Sequence, residues 1–258
     1  AAAGNFGLIR LDREGTIDAE FAFTNTAGLN VENAVVLADG SVIPTWLQTN
    51  SNLIWSEAGR WSRTGERDLS YNGGWADNFG TNSQVTAMEK APGTNGFVAA
   101  VRTEPVGTVG PRFTRLLVFD ESGHGVGRLP ESSEIEGTVH AIAFEAVSAE
   151  TIASGGYDRI LVGGDFTKVG ETPAKNLASL TREGAVAWAF GTDAGPSGPV
   201  YAVEAQLDEK VLIGGAFTNV NGVEAVGMAR IYGSSADGAT RLFWADEEFR
   251  GFEKLGEV

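Results

Sequence analysis

Three acidic residues around Gly15 have a spacing that could bind a cation. Ca²⁺ takes oxygen ligands from alternating positions of a short loop. A matching Arg-Glu-Gly turn at 182–184 keeps the glycine and Glu183, but it has Thr181 and Ala187 where the first copy has acids. A hairpin turn therefore explains the segment. The alternative is one calcium site with Asp12, Glu14 and Asp18 as its ligands. No other cofactor is indicated.

Six tryptophans in 258 residues could include exposed rings that stack on sugars. Trp61 lies at a recurring apolar position and Trp188 in a strand pattern, so both are expected to pack in the core. The other candidates lie near segments that contain Asn and Gly. A glycan-binding protein would use these as stacking residues: Trp46, Trp55 and Trp75.

Catalytic chemistry has little support in this sequence. There is no cysteine, and the two histidines, His124 and His140, are not spaced as a Ser-His-Asp arrangement or a two-histidine metal motif. His140 occupies a repeat position held elsewhere by Glu32, Thr86 and Tyr201, which indicates a variable position. Acid pairs such as those at 246–248 could serve glycoside hydrolysis. With 34 acidic residues a solvated surface explains them better, so we expect no catalytic residues.

The net charge of -15 comes from 34 acidic and 19 basic residues, and the basic ones are scattered. Nucleic acids and anionic membranes both require a basic surface, so neither is an expected partner. No apolar run approaches the 18 residues that a spanning helix needs, so membrane insertion is not expected either.

Two octapeptides 51 residues apart reveal an internal repeat. Ile-Leu-Val-Gly-Gly-Asp-Phe-Thr at 160–167 matches Val-Leu-Ile-Gly-Gly-Ala-Phe-Thr at 211–218. Four apolar segments would each open a unit, at 31–34, 85–88, 139–142 and 200–203, and the long third interval is explained by an insertion at 148–157. A later apolar anchor recurs five times, as Leu11, Trp61, Phe119, Leu180 and Ile231.

Within the best-preserved unit four short strands are predicted, at 200–205, 210–217, 226–232 and 239–244, separated by turn residues. Four strands every 50 to 60 residues is the period of a propeller blade. The sequence predicts an all-β protein, a single propeller domain over 1–258 with about five four-stranded blades. The approximate units are 1–30 (lacking its opening strand), 31–84, 85–138, 139–199 and 200–258. The alternative is a fragment of a larger propeller.

The Gly-Gly-Asp-Phe-Thr and Gly-Gly-Ala-Phe-Thr strands, with Asn-Val-Asn-Gly at 219–222 and the Leu-Asp run at 11–21, resemble the delta-60 repeat family. The unit at 85–138 departs from it, because Phe-Val-Ala-Ala-Val at 97–101 replaces the Gly-Gly strand. The resemblance implies bacterial propeller-like repeats of secreted or surface proteins, a scaffold with no common catalytic activity. A fold alone does not set a function.

Three functional hypotheses follow from these observations. The first is a non-catalytic extracellular module of a bacterial secreted or cell-surface protein, with adhesion, spacing or self-assembly as its role and a protein or polysaccharide as its partner. The second is a glycan-binding propeller lectin, which rests on the loop tryptophans. The third is a polysaccharide-processing enzyme, which would require carboxylates that converge in the central channel.

Overall fold

The computed structural model describes residues 8–23, 30–50, 53–72, 82–104, 110–206 and 210–232. Apart from a 3-10 turn at Glu131–Ser133, its only helix within these ranges is α1, Ala149–Ser154. None of the described helices is long and apolar enough to cross a membrane. The chain is otherwise built of short antiparallel strands, as the β-branched and Gly-punctuated sequence predicts.

The strands fall into successive groups that follow the repeat. The unit at 31–84 contains β1 (Val31–Val36), β2 (Val42–Asn50), β3 (Leu53–Ala58), β4 (Arg60–Trp61) and β5 (Arg67–Asp68). The next unit contains β6 (Ser83–Lys90), β7 (Phe97–Thr103), β8 (Phe113–Phe119) and β9 (Gly125–Arg128).

The two later units repeat this order. The first of them contains β10 (Ile135–Glu145), α1, β11 (Arg159–Val169), β12 (Thr172–Pro173), β13 (Leu177–Thr181) and β14 (Val186–Ala189). The second contains β15 (Val200–Ala205), β16 (Lys210–Gly215), β17 (Asn219–Val220), β18 (Val223–Glu224) and β19 (Met228–Tyr232). The predicted strand at 239–244 lies outside the described residues.

Each unit is an antiparallel meander, for example β6-β7-β8-β9 and β10-β11-β13-β14. The opening strands of successive units contact one another, β1 with β6, β6 with β10 and β10 with β15. Meanders arranged side by side around their first strands form a β-propeller. The fold prediction is confirmed, although the described sheets do not close into a ring.

The hydrophobic core lies between the sheets of neighbouring units. Val35 and Ile43 of one unit pack with Phe97 of the next, and Phe97 stacks on Phe119 with ring centroids 4.6 Å apart. Two further clusters join the later units in the same way. Complete burial of one such side chain contributes about 1.5–3 kcal/mol. Each unit therefore depends on its neighbours for stability.

Four of the five recurring apolar anchors are buried, as expected for Trp61. Trp61, Phe119, Leu180 and Ile231 are at most 2% exposed, whereas Leu11 is 51% exposed. In the described part of its unit, Leu11 forms only an isolated bridge to Ile17. Strand β7 is the equivalent of β11 and β16 in its own unit, and it forms although it lacks their Gly-Gly motif.

Candidate functional site

Every described opening strand contains a β-bulge at the same repeat position. The pairing register shifts between Val31 and Asn33 in β1, and equivalent shifts occur in β6, β10 and β15. A bulge inserts one unpaired residue, which bends the strand and redirects side chains. The residues at these four shifts are Glu32, Thr86, His140 and Tyr201.

The Gly-Gly motif lies directly opposite two of these bulges. A Cβ atom on Gly164 would stand 2.1 Å from the Thr138 carbonyl oxygen, and one on Gly215 would stand 2.1 Å from that of Pro199. Close backbone approach therefore explains the glycines at these two positions. Val101 and Trp46 occupy the equivalent positions in the other units, so the bulge itself does not require glycine.

His140 and Tyr201 bring two bulges into direct contact. Their rings meet edge-on, with centroids 5.2 Å apart and planes at 71°. Such an edge-to-face arrangement is a favourable aromatic geometry. Tyr201 remains 54% exposed, so one side of the pair faces solvent.

Arg102 of β7 extends the polar surface between units. Its guanidinium donates to Thr138 Oγ1 at 3.3 Å and to Gln84 Oε1, and it forms an ion pair with Glu104 at 3.1 Å. The Arg102 Nε atom is buried without a hydrogen-bond partner within the described residues. Together with the four bulge residues, Arg102 forms what we call the bulge cluster: Glu32, Thr86, Arg102, His140 and Tyr201.

The charged members of the bulge cluster interact electrostatically. Burial lowers the pKa of His140; the Asp165 carboxylate opposes this shift and the Arg102 cation adds to it. Desolvation raises the pKa of Glu32, and Arg102 opposes that change. The lowered pKa favours the neutral imidazole of His140, in which one ring nitrogen is a donor and the other an acceptor. The cluster offers hydrogen-bond donors, acceptors and an exposed ring to a polar ligand.

The three acidic residues near Gly15 do not converge. Asp12 Oδ1 accepts the backbone N–H groups of Glu14 and Thr16, at 3.0 and 2.7 Å, while Asp18 pairs with Arg10 at 2.7 Å. The Glu20 N–H and then Arg10 lower the pKa of Asp18. No group of three metal-binding side chains occurs within the described ranges. The described segment is a turn, and calcium binding at Asp12, Glu14 and Asp18 stays an untested prediction.

The three tryptophan candidates have different outcomes. Trp46 is 2% exposed and packs edge-on against Trp61, with centroids 6.1 Å apart. A buried ring offers no face to a sugar, so Trp46 as a stacking residue was wrong; it lies within the long strand β2 and not in a loop. Trp55 of β3 is half-buried and its indole N–H donates to Glu57 at 3.3 Å. Trp75 lies outside the described residues.

The sequence contained a signal for part of the bulge cluster. Aligning the four opening segments places Glu32, Thr86, His140 and Tyr201 in register, and that variable position is the bulge. Arg102 was missed because it belongs to β7, where the repeat motif is lost, and only the fold brings it beside Thr138.

Comparison with known families supports the fold. Residues 206–231 match a family model described as "Domain of unknown function (DUF5122) beta-propeller". The match covers β16 to most of β19, including the second Gly-Gly strand. A search of curated proteins found no match to the chain. The similarity extends to the propeller repeat and does not name a ligand or activity.

Proposed function

We propose that this chain is a non-catalytic binding or assembly module that holds a protein or polysaccharide through the bulge cluster. The observation that carries the proposal is the recurrence of one bulge in four consecutive opening strands. The bulge has the same backbone position in each unit, but the side chain at that position differs from one unit to the next. Such a surface can be varied for recognition without altering the fold.

The side-chain chemistry of the cluster supports binding over catalysis. The one histidine of the cluster, His140, lies against the Tyr201 ring, with centroids 5.2 Å apart. The Arg102 guanidinium is engaged by Gln84 and other polar neighbours, as a fixed recognition group would be. These contacts orient polar groups for a ligand and include no nucleophile paired with a base.

The cellular setting is part of the same proposal. The sequence resemblance to delta-60 repeats supports a bacterial secreted or cell-surface protein, and the matched propeller model is consistent with that family. The excess of acidic residues, 34 against 19 basic, suits a partner that is neutral or basic.

A glycan and polysaccharide array combined with light scattering tests the binding function. The native chain should bind at least one glycan or self-associate, and a variant with His140→Ser and Tyr201→Ser should lose that interaction. A matched control, Val126→Ser with Val226→Ser, changes two residues that are 62% and 65% exposed and should retain it. The proposal would be overturned if the native chain stayed monomeric and bound no glycan. It would also be overturned if the His140→Ser/Tyr201→Ser variant interacted as strongly as the Val126→Ser/Val226→Ser control.

A glycan ligand is the second candidate, supported by Trp55. Its half-buried ring lies beside the Glu57 carboxylate on the same strand. The ring provides a surface for stacking on a sugar, and the carboxylate can accept hydrogen bonds from sugar hydroxyl groups. Trp55→Ala should abolish any sugar-induced change in tryptophan fluorescence. The buried Trp46→Phe serves as the control and should leave that change intact. Unaltered titration of Trp55→Ala would exclude this tryptophan as a sugar contact.

A further inference from the structure

The insertion at 148–157 is a local departure from the repeat, and it has a defined structure. Helix α1 is capped by Ser148, whose Oγ accepts the Thr151 N–H at 3.1 Å, and it ends at Gly155 in a left-handed conformation. The Asp158 carboxylate binds the N–H groups of Val147 and Ser148 at 2.7 and 2.9 Å. In repeat proteins, an insertion into one unit is often placed on the binding face.

A groove between two units lies beside this insertion, which contributes Tyr157 to its lining. The turn after α1 approaches the turn that follows β6, so closely that a Cβ atom on Gly93 would stand 2.7 Å from Gly156 Cα. The groove has a volume of about 480 Å³, within the range of small-molecule sites. The groove begins after the last residue of β6, Lys90, whereas the bulge residue Thr86 lies near the start of that strand. The groove and the bulge cluster are therefore separate sites. Its polar lining includes Asn95, Asp120, Glu121 and Arg182.

Arg182 is the cationic group of the groove. Its guanidinium carbon lies 4.8 Å from the centre of the Tyr157 ring, which belongs to the inserted segment and is 8% exposed. Arg182 itself is exposed and forms no ion pair within the described residues. A guanidinium held on an aromatic face keeps its forked N–H groups available for a carboxylate.

Two carboxylates line the same groove. Glu121 Oε2 accepts the Asn95 amide at 2.9 Å, while its Oε1 accepts no hydrogen bond within the described ranges. Asp120 Oδ1 is engaged by the backbone N–H groups of Ser122 and His124, at 2.8 and 3.0 Å. A simple anion would be repelled by two acids beside one arginine. A zwitterion satisfies both signs of charge.

We propose that this groove binds a small zwitterion, with its carboxylate on Arg182 and its ammonium group on Glu121. Free amino acids and short peptides carry this pair of charges, and the groove volume accommodates either. The proposal is independent of ligand binding at the bulge cluster.

Titration with glycylglycine, followed by backbone amide NMR shifts, tests the assignment. Glycylglycine should shift the amides around Asn95 and Glu121. Two matched probes remove one charge each: N-acetylglycylglycine lacks the ammonium group, and glycylglycinamide lacks the carboxylate. Each is expected to bind at least about tenfold more weakly than glycylglycine, because a charge-assisted hydrogen bond is lost.

Variants assign the two charges to residues. Arg182→Gln should weaken glycylglycine binding about tenfold and remove the preference over the amide, and Glu121→Gln should remove the preference over the acetylated probe. Arg182→Lys keeps the charge but not the fork and should give an intermediate loss. Arg13 occupies the same repeat position as Arg182 in the first unit and lies outside this groove, so Arg13→Gln should bind as the native chain does.

Three results would overturn the proposal. The first is the absence of amide shifts around the groove when glycylglycine is added. The second is that either singly charged probe binds as tightly as glycylglycine. The third is that Arg13→Gln weakens glycylglycine binding as much as Arg182→Gln does. A thermal melt of each variant confirms that it is folded. Because the bulge cluster is separate, its glycan or self-association signal should be unchanged in Arg182→Gln.

Discussion

His140 connects the local bulge to the charges around it. Burial lowers its pKa below the usual value of about 6.5, while the Asp165 carboxylate raises it and the Arg102 cation lowers it further. The surrounding strands supply all of these influences, since Arg102 lies on β7 and Asp165 on β11. The residue is therefore a sensitive reporter of whether the cluster is assembled.

The first prediction concerns the pKa of His140, measured by NMR titration of its ring protons. We expect it to lie below 6.5, to rise in Arg102→Gln and to fall in Asp165→Asn, since the removed charges lower and raise it respectively. A His140→Gln variant assigns the signal. Shifts of the opposite sign would contradict this arrangement of charges.

The same pKa links His140 to stability. Because the folded pKa is lowered, the unfolded state binds more protons between that value and about 6.5. The free energy of unfolding should therefore rise with pH across this window. Urea titrations of the native chain and His140→Gln test this, and the variant should lack that contribution. An identical pH slope for both proteins would contradict it.

At the scale of elements, the repeat allows a matched pair of glycine substitutions. A Cβ atom on Gly163 would stand 2.5 Å from Val203 Cγ2 of the next unit, whereas for Gly214, at the equivalent position, the nearest described atom is 3.7 Å away. Gly163→Ala should reduce the free energy of unfolding by about 1–3 kcal/mol through overpacking. Gly214→Ala should be nearly neutral. Equal losses in urea denaturation would show that Gly214 is also covered.

The inserted helix α1 provides a second prediction at this scale. Burial acts to raise the pKa of Asp158, but hydrogen bonds from Ser148, Thr151 and Val147 together lower it. Its stabilising effect should be present above about pH 4 and be lost as pH falls through the folded pKa. Asp158→Asn should cost about 1 kcal/mol at pH 7, because the carboxylate is partly solvated. Urea titrations should show this cost shrinking at pH 3, and a constant cost would contradict it.

The strands were predictable where the chain repeats itself. The opening segments at 139–142 and 200–203 lie in β10 and β15, because their apolar spacing suits a strand buried against the next sheet. Burial of Trp46 was not predictable in this way, since it depends on contact with Trp61 of another strand. The role of Arg102 likewise depends on neighbouring units. Contacts between distant segments leave no local pattern in the sequence.

At the scale of the whole molecule, the net charge of -15 should make stability depend on salt. Like charges repel in the compact state, and physiological salt screens this repulsion beyond about 8 Å. The thermal midpoint should rise by a few degrees between very low ionic strength and about 0.15 M sodium chloride. Choline chloride should act equally, which excludes specific sodium binding. A lower midpoint in salt would show that attractive ion pairs dominate.

The central claim is that successive opening strands lie side by side and bring their bulge residues to one surface. The most direct measurement is the nuclear Overhauser effect between the His140 and Tyr201 rings. Their centroids are 5.2 Å apart, although the two residues are 61 positions apart in the sequence. With two histidines and four tyrosines in the chain, His140→Gln and Tyr201→Phe assign the signals. We predict a cross-peak between the two rings in the native chain. Its absence, with both rings assigned and the protein folded, would contradict the arrangement.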